Sequence, residues 1–130
     1  MPEPIDQSSP EYIKAFLKRQ THMTIAVTCE DGSPWAVPVH IKSWDGDVLE
    51  WESDTGSIHS RAIEGEPQIA ISMYQLTYGE YREFGFYAKA TAQKAADLPD
   101  ERARYRAVIS AIWVNGADHT KRSVDVDKVK

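Results

Sequence analysis

The residues best equipped for chemistry stand together in Ser53-Asp54-Thr55-Gly56-Ser57-Ile58-His59-Ser60-Arg61. Hydroxyls, a glycine, an imidazole and a guanidinium gather there, between a predicted strand and a short predicted helix. The first N–H groups of a helix have no intrahelical acceptor and carry partial positive charge. With hydroxyls and cations beside them, they suit an anion, above all a phosphate. The plainer reading is a capped helix start, with Ser57 as the cap and its neighbours solvated.

Other self-contained chemistries find less support. The four histidines, His22, His40, His59 and His119, do not pair at ligand spacing, and no His-Glu-x-x-His motif occurs, so no dedicated metal site is expected. There is no Gly-x-Ser-x-Gly elbow and no glycine-rich phosphate loop. Cys29, the single cysteine, falls in a predicted strand and reads as a small buried hydrophobe. A hydrolase has no positive support.

The elements that must position the Ser53–Arg61 stretch are mostly strands. Ser9 caps a predicted helix over Pro10–Arg19, with Tyr12, Ile13, Phe16 and Leu17 on one face. Strands are predicted over Met23–Cys29, Trp35–Ser43 and Val48–Ser53, joined by the turns Asp31-Gly32 and Asp45-Gly46 into an antiparallel meander. Pro34 and Pro38 make the second an edge or bulged strand. A short helix starts near Thr55 or Ser57 and stops at Gly65 and Pro67. Strands over Gln68–Tyr74 and Gly85–Gln93 follow, the latter with Phe86, Ala88, Ala90 and Ala92 on one face. Leu98-Pro99-Asp100 opens an expected further helix, with Tyr105, Val108, Ile109 and Ile112 as its stripe and Asn115-Gly116 at its end. Ser123–Val126 is a short last strand. Strands joined by tight turns, with few helices, argue for a small barrel or a sheet covered by helices.

Composition sets the bounds. The 130 residues suit one domain with a real core, expected over 1–130, with 1–9 as a flexible leader. A formal net charge of −5 argues against nucleic acid and anionic membranes as partners. No apolar run is long enough to span a bilayer, and the polar, acidic start does not read as a secretory signal, so the expected compartment is the cytoplasm.

The order of elements and the residues together resemble a family. The strand Thr24-Ile25-Ala26-Val27-Thr28, the Asp31-Gly32 turn and Pro34-Trp35-Ala36-Val37-Pro38-Val39 are similar to the start of pyridoxamine 5'-phosphate oxidase-like proteins, the FMN-binding split barrels. So are Leu49-Glu50-Trp51-Glu52-Ser53, the run Gly56-Ser57-Ile58-His59 through Ile63 to Pro67, and Gly85-Phe86-Tyr87-Ala88-Lys89-Ala90-Thr91-Ala92. The resemblance covers about residues 10–93. It implies a mainly β fold, a six-stranded antiparallel split barrel with two or three short helices.

The resemblance also implies FMN, with its phosphate held by Ser57 and His59 and with Arg61 in reserve. His59 stands where the family commonly has Lys, so cofactor affinity is expected to fall as pH rises through the His59 pKa. Lys42 matches a position that reaches toward the ribityl-phosphate; as a residue alone it reads equally as a solvated strand end. Val37, Pro38, Val39 and His40 match the segment whose backbone lines the flavin ring. Glu52 and Ser53 match the pair before the helix, and a carboxylate at Glu52 must turn away from a bound phosphate. Ala62 replaces the family's Asn. Trp113 is a candidate for the ring or the dimer seam, or simply core.

A barrel of this size is filled by its own side chains, so the cofactor must lie outside it, in a groove that a second copy completes. The implied activity is flavin-mediated hydride transfer to or from a small-molecule substrate. No residue stands out as an obligatory acid or base, and the basic set that would take a substrate phosphate is absent. Two alternatives stay open: a relative using F420 or haem in the same barrel, and a non-catalytic, stress-related flavin-binding module.

Overall fold

Ser9 caps the first helix as expected, its hydroxyl accepting from the Tyr12 N–H, and Pro10 takes the first position, where a missing N–H costs nothing. Helix α1 (Pro10–Arg19) buries Ile13, Phe16 and Leu17, the apolar face read from its spacing. In the computed structural model, which describes residues 6–77 and 82–130, the remaining elements are β1 (His22–Thr28), β2 (Pro34–His40), β3 (Ser43–Asp45), β4 (Val48–Asp54), α2 (Ile58–Gly65), β5 (Gln68–Thr77), β6 (Arg82–Leu98), β7 (Arg102–Asn115) and β8 (Lys121–Val124), followed by a 3-10 turn at Val126–Lys128. Residues 1–5 of the expected leader lie outside the described residues. Gln7 is tied down, donating to the Tyr12 hydroxyl and the Glu83 carbonyl and accepting from the Ala117 N–H.

All strands join one antiparallel sheet in the order β2-β1-β5-β6-β7-β4-β3, with β8 on β7. The chain passes from β2 to β3 through Ile41 and Lys42, and the Lys42 N–H donates to the Glu50 carbonyl of β4 at 2.9 Å. That bond brings the two ends of the sheet together. The fold is a mainly β split barrel with flanking helices: six long strands form its wall, and β3 and β8 are short additions.

Two expectations need correction. The first three strands are not a meander. β2 pairs with β1 alone, whereas β4 pairs along its whole length with β7, from Val48–Val108 to Asp54–Arg102. Adjacent hairpins give no local sign of this long-range pairing. The expected helix after Leu98 is strand β7. Its buried residues alternate through Ala103, Tyr105, Ala107 and Ile109, and Val108, expected in the core, is exposed. Ser110 is then an extra residue in the β6–β7 register, its hydroxyl donating to the Lys89 carbonyl. This bulge shifts the inward face by one position, so Ile109 and Ile112 both point inward and imitate helical spacing. Leu98 ends β6, and Pro99-Asp100 belongs to the β6–β7 turn, where Asp100 and Glu101 take φ of 63° and 57°, the left-handed pair that favours a tight hairpin.

The interior is filled. Trp51 of β4 stacks on Tyr105 of β7, its register partner, with centroids 5.9 Å apart and both rings fully buried. Phe16 meets Phe84 edge-on at 4.5 Å and seats α1 on the wall. Ala62 and Ile63 seat α2.

Candidate functional site

Helix α2 starts where the sequence placed its cap. The Ser57 hydroxyl accepts from the Ser60 N–H and donates to the Asp54 carbonyl at 2.9 Å. A hydroxyl has one proton, so the Ser60 hydroxyl, 2.7 Å away, donates to Ser57. Ser60 is fully buried; the sequence placed it in the stretch but gave it no role. The His59 Nε2 lies 2.9 Å from the Ser53 hydroxyl and 3.4 Å from that of Ser57. Three expected site residues, Ser53, Ser57 and His59, therefore form one hydrogen-bonded cluster. Burial, 9% exposed, pushes the His59 pKa below its usual 6.5. The ring is thus neutral near pH 7 and serves as a hydrogen-bonding group rather than a cation.

Glu52 and Ser53 point to opposite faces of β4, as successive strand residues must. Ser53 shares the inward face with Trp51, and Glu52 stands on the outer face opposite Arg104. The carboxylate is thereby turned from the cluster. Outside the same strand pair, Arg106 bonds Glu50 at 3.3 Å and Arg102 bonds Asp54 at 3.5 Å.

Arg61, exposed on α2, lines two clefts. One, of about 810 Å³, runs between α2 and the β1–β2 turn, with Thr28, Cys29, Glu30 and Glu66 on its walls. The other, of about 570 Å³, lies between α2 and the β6–β7 turn, with Thr55, Gly56, Lys94 and Arg102 and with the acidic residues Glu64, Asp97 and Glu101. The Glu101 carbonyl in that turn accepts from both the N–H and the hydroxyl of Thr55, fixing the loop ahead of α2. Lys94 is engaged by Asp97 at 3.0 Å and Arg102 by Asp54. Among the described residues Arg61 forms no ion pair.

The ring-lining candidates lie on the free edge of β2. The Cys29 N–H donates to the Ser33 carbonyl and the Ile41 N–H to the Thr21 carbonyl. These bonds fix the phase of the ladder: Val37 and Val39 turn their backbone groups toward β1, while Pro34, Ala36, Pro38 and His40 turn theirs to the open edge. Val39 is buried and Val37 half-buried, as barrel core; Pro38 and His40 are exposed. The two prolines stand where an N–H would have no partner, leaving Ala36 and His40 as edge donors. Lys42 is exposed just beyond.

Trp113 is elsewhere. It is half-buried on the outer face of β7, opposite Tyr87 on one side and Ser123 on the other. The Lys89 Nζ sits 5.6 Å from its ring centroid and the Lys121 Nζ 4.3 Å from that of Tyr87. Along β7, Trp113 is ten residues beyond Ala103, which faces Ser53, a span of about 30 Å. The structure brings together Ser53, Ser57 and His59, turns Arg61 of the same helix toward the two clefts, and holds Trp113 apart from them. Sequence reasoning missed Tyr87, Lys89 and Lys121 around Trp113, because a helix at 98–115 would not have set those side chains beside it.

No family model and no curated protein sequence matches this chain. Solved structures do. The chain is similar to a haem binding protein from Mycobacterium smegmatis, with a TM-score of 0.80 at 11% identity over 97% of this chain and 61% of that one. The chain thus spans under two thirds of that protein's length. It is also similar to a Clostridium acetobutylicum protein related to general stress protein 26 of B. subtilis and described as of the pyridoxinephosphate oxidase family. Here the TM-score is 0.76 at 10% identity, over 97% and 100% of the two chains. A third likeness is to an FAD-binding protein from Mesorhizobium loti, TM-score 0.67 at 13% identity, over 77% and 88%. The fold of this chain is the split barrel that these structures share.

Proposed function

We propose that the chain binds FMN in a groove over the β2 edge and the start of α2, that a second copy closes the groove, and that the assembly serves hydride transfer with a small-molecule substrate. The observation that carries this reading is the open start of α2 with Arg61, which forms no ion pair among the described residues, on the same helix. The likeness in fold to an FAD-binding protein and to one of the pyridoxinephosphate oxidase family supports a flavin.

The residues fit the group with one revision of roles. The first-turn N–H groups of Ile58 and His59 have no intrahelical acceptor and suit phosphate oxygens. Arg61 supplies the positive charge. Ser57 is occupied as the cap, and His59 steadies Ser53 instead of contributing charge. Glu52 stands on the opposite face of its strand. The β2 edge offers the Ala36 and His40 N–H groups and several carbonyls to the heteroatom rim of a flat ring. FMN, when bound, supplies hydride acceptance and donation; the chain's part is to bind, orient and exclude water from one face. Trp113 lies too far from the cluster to serve its own groove, so a second copy supplies it.

The test is a titration of the cofactor-free chain with FMN, FAD, F420 and haem. Saturable one-to-one FMN binding, weakened at least tenfold in Arg61→Ala by loss of a charge-assisted contact, supports the reading, and consumption of NADH or NADPH by the loaded protein supports the activity. The likeness to the mycobacterial protein makes haem the competing occupant. Haem binding without FMN binding would replace the flavin reading, and FMN binding without turnover would make the chain a flavin carrier.

A further inference from the structure

His22 opens β1 and His40 closes β2, directly opposite each other. The Ile41 N–H donates to the Thr21 carbonyl at 2.8 Å, which makes His22–His40 a pair without ladder bonds between them. In such pairs the Cα atoms are only about 4.5 Å apart and the side chains approach closely. Both residues are exposed. Their rings meet edge to face, with centroids 5.0 Å apart and planes at 87°.

That separation has a chemical meaning. An imidazole bound through nitrogen at about 2.0–2.1 Å places its centroid about 3.2 Å from the ion, so two imidazoles on one tetrahedral ion have centroids about 5.2 Å apart; the separation here matches, and a rotation of the exposed side chains out of the edge-to-face contact turns both nitrogens onto one ion. The Thr21 hydroxyl lies 2.9 Å from the His22 Nδ1. With Nδ1–H donating to that hydroxyl, the Nε2 lone pair is free, the arrangement usual for a ligating histidine.

We propose that His22 and His40 form a two-histidine site for a divalent first-row transition metal ion. Neutral imidazoles suit zinc, copper and nickel; calcium and magnesium require oxygen donors. Among the described residues no group of three or more His, Cys, Asp or Glu side chains could hold a metal, so the ion keeps open positions for water or another donor. The site is independent of the flavin reading, which uses only the backbone of His40.

The experiment is calorimetric titration of the full, tag-free, cofactor-free chain with zinc chloride and with nickel chloride, in a Cys29→Ser background that removes the free thiol. One ion per chain is expected. His22→Ala and His40→Ala each weaken binding more than about tenfold, and Thr21→Val weakens it less, by up to about tenfold. His119→Ala leaves it unchanged. All four positions are exposed, and far-UV circular dichroism verifies folding. Binding that survives in His22→Ala/His40→Ala, or that is lost in His119→Ala, overturns the site, as does absence of binding in the parent. None of these outcomes bears on the FMN titration.

Discussion

The start of α2 and the outer face of β6–β7–β8 are both candidate contact regions, yet they are finished to different degrees. At α2, Ser53, Ser57, His59 and Ser60 satisfy one another, and only backbone N–H groups and Arg61 remain to meet a ligand. Around Trp113, the half-buried rings of Trp113 and Tyr87 carry the Lys89 and Lys121 ammonium groups over their faces. The first region is complete within one chain. The second leaves two half-buried rings on the outer face of the sheet. In the proposed function each chain anchors the cofactor with its first region and covers a neighbour's with its second.

Four measurements can break or sharpen this contrast. Trp51→Ala acts on both regions, because the Trp51–Tyr105 stack ties β4 to β7 between them. It is expected to cost about 3–5 kcal/mol of stability in a denaturant melt, as for a large aromatic removed from a core. If it costs under about 1 kcal/mol, the two regions are not joined through that stack. Ser57→Ala/His59→Ala is expected to weaken FMN binding by about 2 kcal/mol, because without its cap the first turn of α2 no longer holds its N–H groups toward the phosphate, and to cost about 1 kcal/mol of helix-cap stability. Unchanged FMN affinity would mean that the first turn of α2 does not hold the phosphate. Trp113→Ala is expected to shift sedimentation from dimer toward monomer by about 2 kcal/mol, the scale of an interface anchor, while the melt of the monomer changes little. A monomeric parent, or an unaltered dimer, removes the contrast.

The fourth measurement is pH. Because His59 has a folded pKa below 6.5, its neutral form stabilises the fold above that value. Below it the unfolded chain takes up the proton more readily, so stability falls as pH falls through 6.5 toward the folded pKa. FMN affinity is expected to stay flat from neutral to mildly alkaline pH, since no charge on His59 is lost there. A fall across that range would restore His59 as the phosphate's cation and contradict its burial.

Much of this was legible because it is local. The cap at Ser9 with Pro10, the two Asp-Gly turns, and the alternation through Phe86, Ala88, Ala90 and Ala92 each settle in a few neighbouring residues. The Ser53–Arg61 stretch was readable as a cluster for the same reason. What failed was long-range or irregular. The β4–β7 pairing joins segments some fifty residues apart. The Ser110 bulge gave Ile109 and Ile112 a helical spacing inside a strand. The neutrality of His59 comes from burial under its own helix, and a sequence lists residue types without saying which are covered.

The prolines of β2 have a consequence for how this protein behaves in concentrated solution. An added strand, from another molecule or a misfolded copy, must trade hydrogen bonds in both directions along the edge it joins. Along Pro34–His40 the outward positions offer carbonyls at each step, but Pro34 and Pro38 offer no N–H in return. In the proposed function the edge takes a small planar ligand, and yet it is a poor template for fibril growth. Pro34→Ala/Pro38→Ala would restore the missing donors and turn the same rim into a seed for strand-by-strand aggregation.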